Sequence, residues 1–342
     1  MLMGTAGEPL HGPAPFTALA MSGELIAAGS EDGSVRLYRV PETRVHKAIR
    51  ALGDEVSSLA FVPASDVIWI ASGQHIYAFD IKTEKLVLKR EDATIQKRVL
   101  NDDENVLNEI ALSKTHLAFT CDDGRIGTYE FSTQEVKFLK PQHKSVSSPL
   151  AFIPNRPREL VSGGYDCTLL HTDFLLGSFL SSLDLSGGAS PVDTGAVPPF
   201  IHSLDVSPDG HIVCGLADGR VWIGSGGVKG PGKKKKWDGL DEQQGAFHTV
   251  ATGPVVGLAF RDESSVFMSS LNGVLKLVAV TQSQTDGTTV TIPWSAQTTK
   301  VAKVNTLAYD TATHQLVIAG ITLDGKGALE TWTFENMQQR AG

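Results

Sequence analysis

The amino-acid sequence predicts an all-β chain in which one four-stranded unit recurs along the length. Three observations carry this expectation. A hairpin pattern recurs, a short strand pattern stands upstream of it at a near-constant interval, and no window of a dozen residues shows helical periodicity. Glycine is also frequent, 34 of 342 residues, which favours turn-rich strands over helices.

The hairpin is first met in Gly29–Val40, "GSEDGSVRLYRV". The strand-like run Glu24–Gly29 leads into Asp32-Gly33, and apolar residues alternate beyond it. Asp-Gly and Asn-Gly favour φ > 0, which two-residue hairpin loops need to match the strand twist. Phe119–Phe131, Val161–Phe174, Val213–Gly224 and Met268–Val280 repeat this layout. The upstream pattern begins at Phe16, Val56, Val106, Val146, Phe200, Val255 and Val304, as in "FTALAM", "VSSLAF" and "VVGLAF".

Seven copies at this spacing match the period of a propeller blade, and along almost its whole length the chain resembles the WD-repeat β-propellers. The resemblance implies that each repeat supplies strands a to d of one blade of a seven-bladed propeller, and that residues 1–342 form a single domain. It further implies that a strand within Met1–His11 completes the seventh blade beside Glu330–Phe334. Such closure protects strand edges from aggregation, and blades too small to be stable alone are expected to fold together. The Trp-Asp pair of the family is replaced by Tyr38-Arg39, Phe79-Asp80, Tyr129-Glu130 and Thr172-Asp173. Residues 186–199, ahead of blade five, and 224–245, between its strands c and d, are expected to be surface-loop insertions.

Composition bounds the function. Hydrophobic residues make up 41% and charged residues 20%, as in globular proteins. Apolar runs such as Val67–Ala71 and Val255–Phe260 are too short to span a bilayer. Met1–Leu10 carries neither a basic segment nor a sustained apolar one, so no secretory signal is expected. Cys121, Cys167 and Cys214 contain no C-x-x-C pair and read as small buried hydrophobes of a reducing compartment. A net charge of −8 disfavours general nucleic-acid binding. The expectation is a soluble protein of the cytoplasm, the nucleus or both, without membrane or nucleic-acid partners.

His143, Ser162 and Asp166 make a Ser/His/Asp set, but no nucleophile elbow or oxyanion-hole motif accompanies them. In WD blades the matching positions form a buried structural hydrogen-bond network, with Thr172 here at the tryptophan position. Gly227–Lys233 matches G-x-x-x-x-G-K, yet Lys234-Lys235-Lys236 follows instead of Ser or Thr and a helix start, so no nucleotide is expected. The ten histidines show no metal-ligand spacing, and neither metal nor cofactor is expected. Lys233, Lys234, Lys235 and Lys236 read either as a solvated loop or as a nuclear-import signal or contact with an acidic surface. Trp237 beside them is expected to be exposed and able to anchor a partner.

Charge also separates by loop type. The d–a and b–c loops, which share one rim, carry Glu31, Asp32, Asp54, Glu55, Asp102, Asp103, Glu104, Asp122 and Asp123, all in blades one to three. The c–d loops of the other rim carry Arg44, Lys82, Lys85 and the lysine run. Asp32 and Asp123 are turn-formers first; the acidic sector as a whole is expected to receive a basic partner.

Ser148–Asp166, Phe200–Trp222 and Val56–Lys82 are similar to blades of small seven-bladed WD-repeat proteins regarded as candidate substrate receptors of cullin-4 ubiquitin ligases. Such receptors dock on the ligase adaptor through W-D-x-R at the end of a strand c. The motif falls on Phe79-Asp80-Ile81-Lys82, where Lys82 keeps the charge but lacks the planar fork of arginine. The functional expectation is a non-catalytic interaction scaffold, monomeric within a complex. It would act as a ubiquitin-ligase substrate receptor or as a chaperone or escort of a basic client, such as a ribosomal protein or histone.

Overall fold

Each predicted upstream strand and hairpin joins a sheet of its own. The computed structural model describes residues 3–42, 44–187, 197–224, 237, 239–242, 245–283 and 287–335. Among them, β-strands account for nearly all regular structure, and Arg90–Asp92 forms a 3-10 turn. Seven sheets of four or five strands follow one another, the arrangement of a seven-bladed β-propeller. Their innermost strands, Phe16–Ser22, Val56–Phe61, Leu107–Leu112, Ser147–Phe152, Ile201–Val206, Val255–Asp262 and Lys303–Asp310, lie on the seven predicted starts. Of the expected insertions 186–199 and 224–245, residues 188–196 and 225–236, with the lysine run, fall outside the described residues.

Two compact units divide the chain: Met1–Ile110 with Leu271–Leu277 and Ile292–Gly342, and Ala111–Ser270 with Val278–Thr291. In the first, Met3–Ala6 and Leu10–Gly12 both pair antiparallel with Gly327–Glu335, so the N-terminal residues supply the outer strand of blade seven. The register sets Ala6 opposite Trp332 and Leu10 opposite Leu329. Glu330 on that central strand is 3% exposed. Its Oε1 accepts N–H bonds from Thr299 (2.7 Å), Lys300 (2.5 Å) and Val301 (3.0 Å), which fixes the chain entering blade seven.

One strand escaped the sequence reading. Val87–Lys89, inside the c–d connection of blade two, pairs parallel with Val45–Arg50 and becomes a fifth strand of blade one. Three residues without a turn signal leave no period to detect. Leu88 is buried there while Leu86 and Val87 remain exposed.

The second strand of each blade explains where the core lies. Leu25–Ser30 and Val67–Ser72 are buried at every position but the first, and His116–Cys121 throughout. A strand covered on both faces must be apolar on both faces, hence the continuous runs "LIAAGS" and "VIWIAS". In the first unit, one cluster joins Val35 and Leu37 of blade one to Ile70 and Phe79 of blade two, and another joins Phe16 and Ile26 to Val317 and Leu329 of blade seven. In the second unit, Ala118 packs with Leu160, Val161 with Cys214, and Val213 with Met268, again across successive blades.

Polar side chains tie the same neighbours. In the first unit Thr17 Oγ1 donates to Val56 O (2.7 Å), Ile110 N to Ser58 Oγ (3.2 Å) and Asn305 Nδ2 to Phe16 O (2.8 Å). In the second, Thr120 Oγ1 donates to Ser148 O (2.7 Å) and Ser203 Oγ to Val255 O (2.9 Å). Asp205 of blade five accepts the N–H of Phe260 in blade six at 2.8 Å.

Burial raises the carboxyl of Asp205 from 3.8 to about 6, against the pull of its bonds from Phe260 and Val206. Between these values the folded chain keeps a proton that the unfolded chain has released, so this group's contribution to stability falls as pH rises through the window. The stability difference between wild type and the non-titrating Asp205→Ala is therefore expected to be about 2 kcal/mol smaller at pH 7 than at pH 4. Urea midpoints at the two pH values check this, and a difference that grows with pH contradicts it.

Candidate functional site

The b–c turns organise one edge of every blade. The N–H of Gly33 donates to Ser30 O (3.1 Å) and Ser30 N to Ser34 O (2.9 Å), leaving three residues in the loop. The expectation of two-residue loops is thus corrected: an i to i+3 turn is followed by one residue with φ > 0, a combination that also matches the strand twist. That residue is Gly33 (φ 70°), Gly124 (φ 85°), Gly219 (φ 87°) and Gly273 (φ 81°), but Cys167 (φ 62°) in blade four. A Cβ on Gly219 would meet the carbonyl oxygen of Ala251, so glycine is required there for space as well.

The aspartate of each turn is spent on the turn itself. Asp32, Asp123, Asp166 and Asp218 each accept the backbone N–H two residues on, at 3.1 Å in every case. Asp32 also pairs with Arg36 (3.6 Å), Asp123 with Arg125 and Asp218 with Arg220 (2.7 Å). The residues before these aspartates are Glu31 and Asp122, both exposed, Tyr165, half-buried, and Ala217, buried.

In the first unit Glu31, Asp54 and Glu55 are exposed. Burial, and then the charge of Glu31, push the Glu55 carboxyl up, so two carboxylates share this stretch of edge. Asp54 spreads over the blade-two turn, where its carboxylate lies against Gly73. Asp102, Asp103 and Glu104 are exposed as well; Asp102 caps the N–H of Glu104 (3.0 Å) and Asp103 pairs with Arg98.

In the second unit the acidic edge extends past blade three, contrary to the sequence reading. Asp184 and Asp218 add charge in blades four and five, and both, with Asp166, help burial raise the Cys167 thiol. The Asp218-Gly219 turn was visible as a hairpin; its charge went uncounted. All three cysteines are buried and none forms a disulfide.

His143, Ser162 and Asp166 meet as one network. The ring of His143, with no exposed side-chain surface, lies 3.0 Å from Asp166 Oδ1 through Nδ1 and 2.9 Å from Ser162 Oγ through Nε2. Burial raises Asp166, but the bond from His143 and the N–H groups of Lys144 and Thr168 outweigh it and hold the carboxyl below its usual range. Thr172, in place of tryptophan, adds no bond: its Oγ1 is buried without a partner among the described residues. Ser162 is fully buried and its oxygen is bonded to the His143 ring, so the geometry braces the blade.

Two candidates are corrected. Trp237 is buried rather than exposed, 3% accessible, with Nε1 donating to Gly210 O (2.9 Å) and its ring edge-on to His171. The neighbouring lysines gave the segment a solvated look, but the indole has the area and the donor to seal the core between blades four and five. Phe79 is also fully buried, packed with the blade-one side chains, and offers no surface to a partner. Asp80 and Lys82 remain exposed at that strand end. Asp80 Oδ1 caps Lys82 N at 2.8 Å, and Lys82 Nζ lies 3.9 Å from Asp66. Arg44 pairs with Glu42 (3.0 Å) and Lys85 with Asp92 (2.5 Å), so these c–d cations carry local counter-ions.

His143→Ala is expected to lower stability by about 3 kcal/mol, because it strands a buried carboxylate and hydroxyl. Ser162→Ala should lose about 1 kcal/mol. Chemical denaturation measures both, and a histidine variant as stable as wild type refutes the bracing role.

A family model described as "WD domain, G-beta repeat" matches residues 10–39, the span from the Leu10–Gly12 strand through strands a, b and c of blade one. A WD repeat-containing protein 53 homolog from Dictyostelium discoideum is 23% identical over 224 residues, 58% of this chain and 58% of that protein. The match thus covers less than two thirds of the relative's own length. Together with the seven successive blades, these matches support a WD-repeat family, with a resemblance to WD repeat-containing protein 53.

Proposed function

We propose that the chain is a non-catalytic protein-interaction scaffold that receives a basic protein partner on the turn-bearing edge of its blades. A WD propeller suggests protein–protein interaction in general. One observation carries the finer reading: the turn aspartates are consumed by capping, while Glu31, Asp54 and Glu55 stay exposed with two of the carboxylates close enough to repel. Like charges kept together without structural use cost stability, and a cationic partner relieves that cost. Clients of this chemistry include ribosomal proteins and histone tails, which the chain would escort.

A second reading is that of a substrate receptor of a cullin-4 ubiquitin ligase, supported by the exposed Asp80 and Lys82 at the end of strand His75–Asp80. Without Phe79 at the surface, that contact would rest on the two charges alone.

Affinity purification from the native source separates the two. Under the first reading the captured partner is basic, its association weakens steeply with added salt, and Asp54→Lys with Glu55→Lys slows association about tenfold or more. Salt-insensitive binding contradicts it. Under the second, the ligase adaptor co-purifies and Lys82→Glu releases it; capture without any ligase subunit removes that reading.

A further inference from the structure

Blade four breaks the pattern of its edge. At the turn position that holds Glu31 in blade one and Asp122 in blade three, it carries Tyr165. The Tyr165 ring lies nearly parallel to Phe200, 15° between planes and 5.1 Å between centroids. His202 meets it edge-on at 5.2 Å, with Nδ1 3.3 Å from the tyrosine oxygen. All three rings are half-buried, unlike the sealed aromatics of the blade cores.

The surroundings of this stack are negative. Asp122 holds, exposed, the matching turn position of the preceding blade; burial and then its charge raise the Tyr165 hydroxyl. Burial lowers the His202 imidazole. Asp184 and Asp218 act on Cys167, two residues along the same turn.

An aromatic face carries negative charge density, and a cation held over it beside a carboxylate gains from both. Rigid aromatics at a solvent edge also present contact area at little entropic loss, as interface anchors do. We propose that the Tyr165–Phe200 pair, with Asp122 beside it, is the seat for one cationic side chain, a guanidinium or ammonium group, of a basic partner segment. This rests on the basic-partner reading above and gives it an anchor point in blades four and five.

The probe is a short fluorescent peptide of alternating arginine and glycine, with a glycine-serine peptide as the uncharged control, read by polarisation on the full chain. Tyr165→Leu with Phe200→Leu keeps apolar volume but removes the π faces; it is expected to weaken arginine-peptide binding about tenfold, while Tyr165→Phe binds as wild type does. A leucine pair that melts like wild type and binds equally well overturns the proposal. If the leucine pair melts lower, Asp122→Asn decides: weaker binding supports the seat and unchanged binding rejects it. Weakening in Asp54→Lys with Glu55→Lys but not in the leucine pair keeps the acidic-edge reading and rejects this seat. A wild-type chain that ignores the arginine peptide rejects both.

Discussion

Strands with no solvent-facing side set the terms for this molecule. A blade whose second strand is apolar on both faces cannot exist beside water, so each must be covered by its neighbours. The clusters that cover them all span two successive blades. Hydroxyl, amide and carboxylate side chains on the inner strands then bond to the backbone of the adjoining blade, which orients the contact that apolar area alone would leave free to slide. Blade seven meets the same demand by recruiting Met3–Ala6 and Leu10–Gly12, and Glu330 anchors the chain that enters it.

Rigid sheets leave variation to their connections. The b–c turns of blades one, three, four and five use an aspartate and a φ > 0 residue for geometry, and the position before the aspartate is free to vary. That division separates acids that hold the turn, Asp32, Asp123, Asp166 and Asp218, from those that face outward, such as Glu31 and Asp122. It also sets Tyr165 apart, since an aromatic at that position serves neither the cap nor the backbone conformation. The His143–Ser162–Asp166 set shows the converse: residues of a catalytic triad, sealed in a blade, act as a brace.

Local patterns carried much of this from sequence to structure. The seven strand starts and the turn glycines depend on alternation, short turn motifs and a period legible in the chain, whereas the pairing of the N-terminus with Glu330–Phe334 followed from the family resemblance. Their causes are local: a φ > 0 requirement selects glycine, and two covered faces select a continuous apolar run. The Val87–Lys89 strand was not legible, because its pairing partner is supplied by a different repeat.

The candidate site divides along the same line. The sequence alone determined which side chains sit in turns and what charge they bear, since these follow from residue type and position within a repeat. Tertiary structure decided which of them reach a partner. It buried Trp237 and Phe79, paired Asp103 with Arg98, and stacked Tyr165 on a phenylalanine 35 residues away. Accessibility depends on which blade packs against which, and no short stretch of residues encodes that.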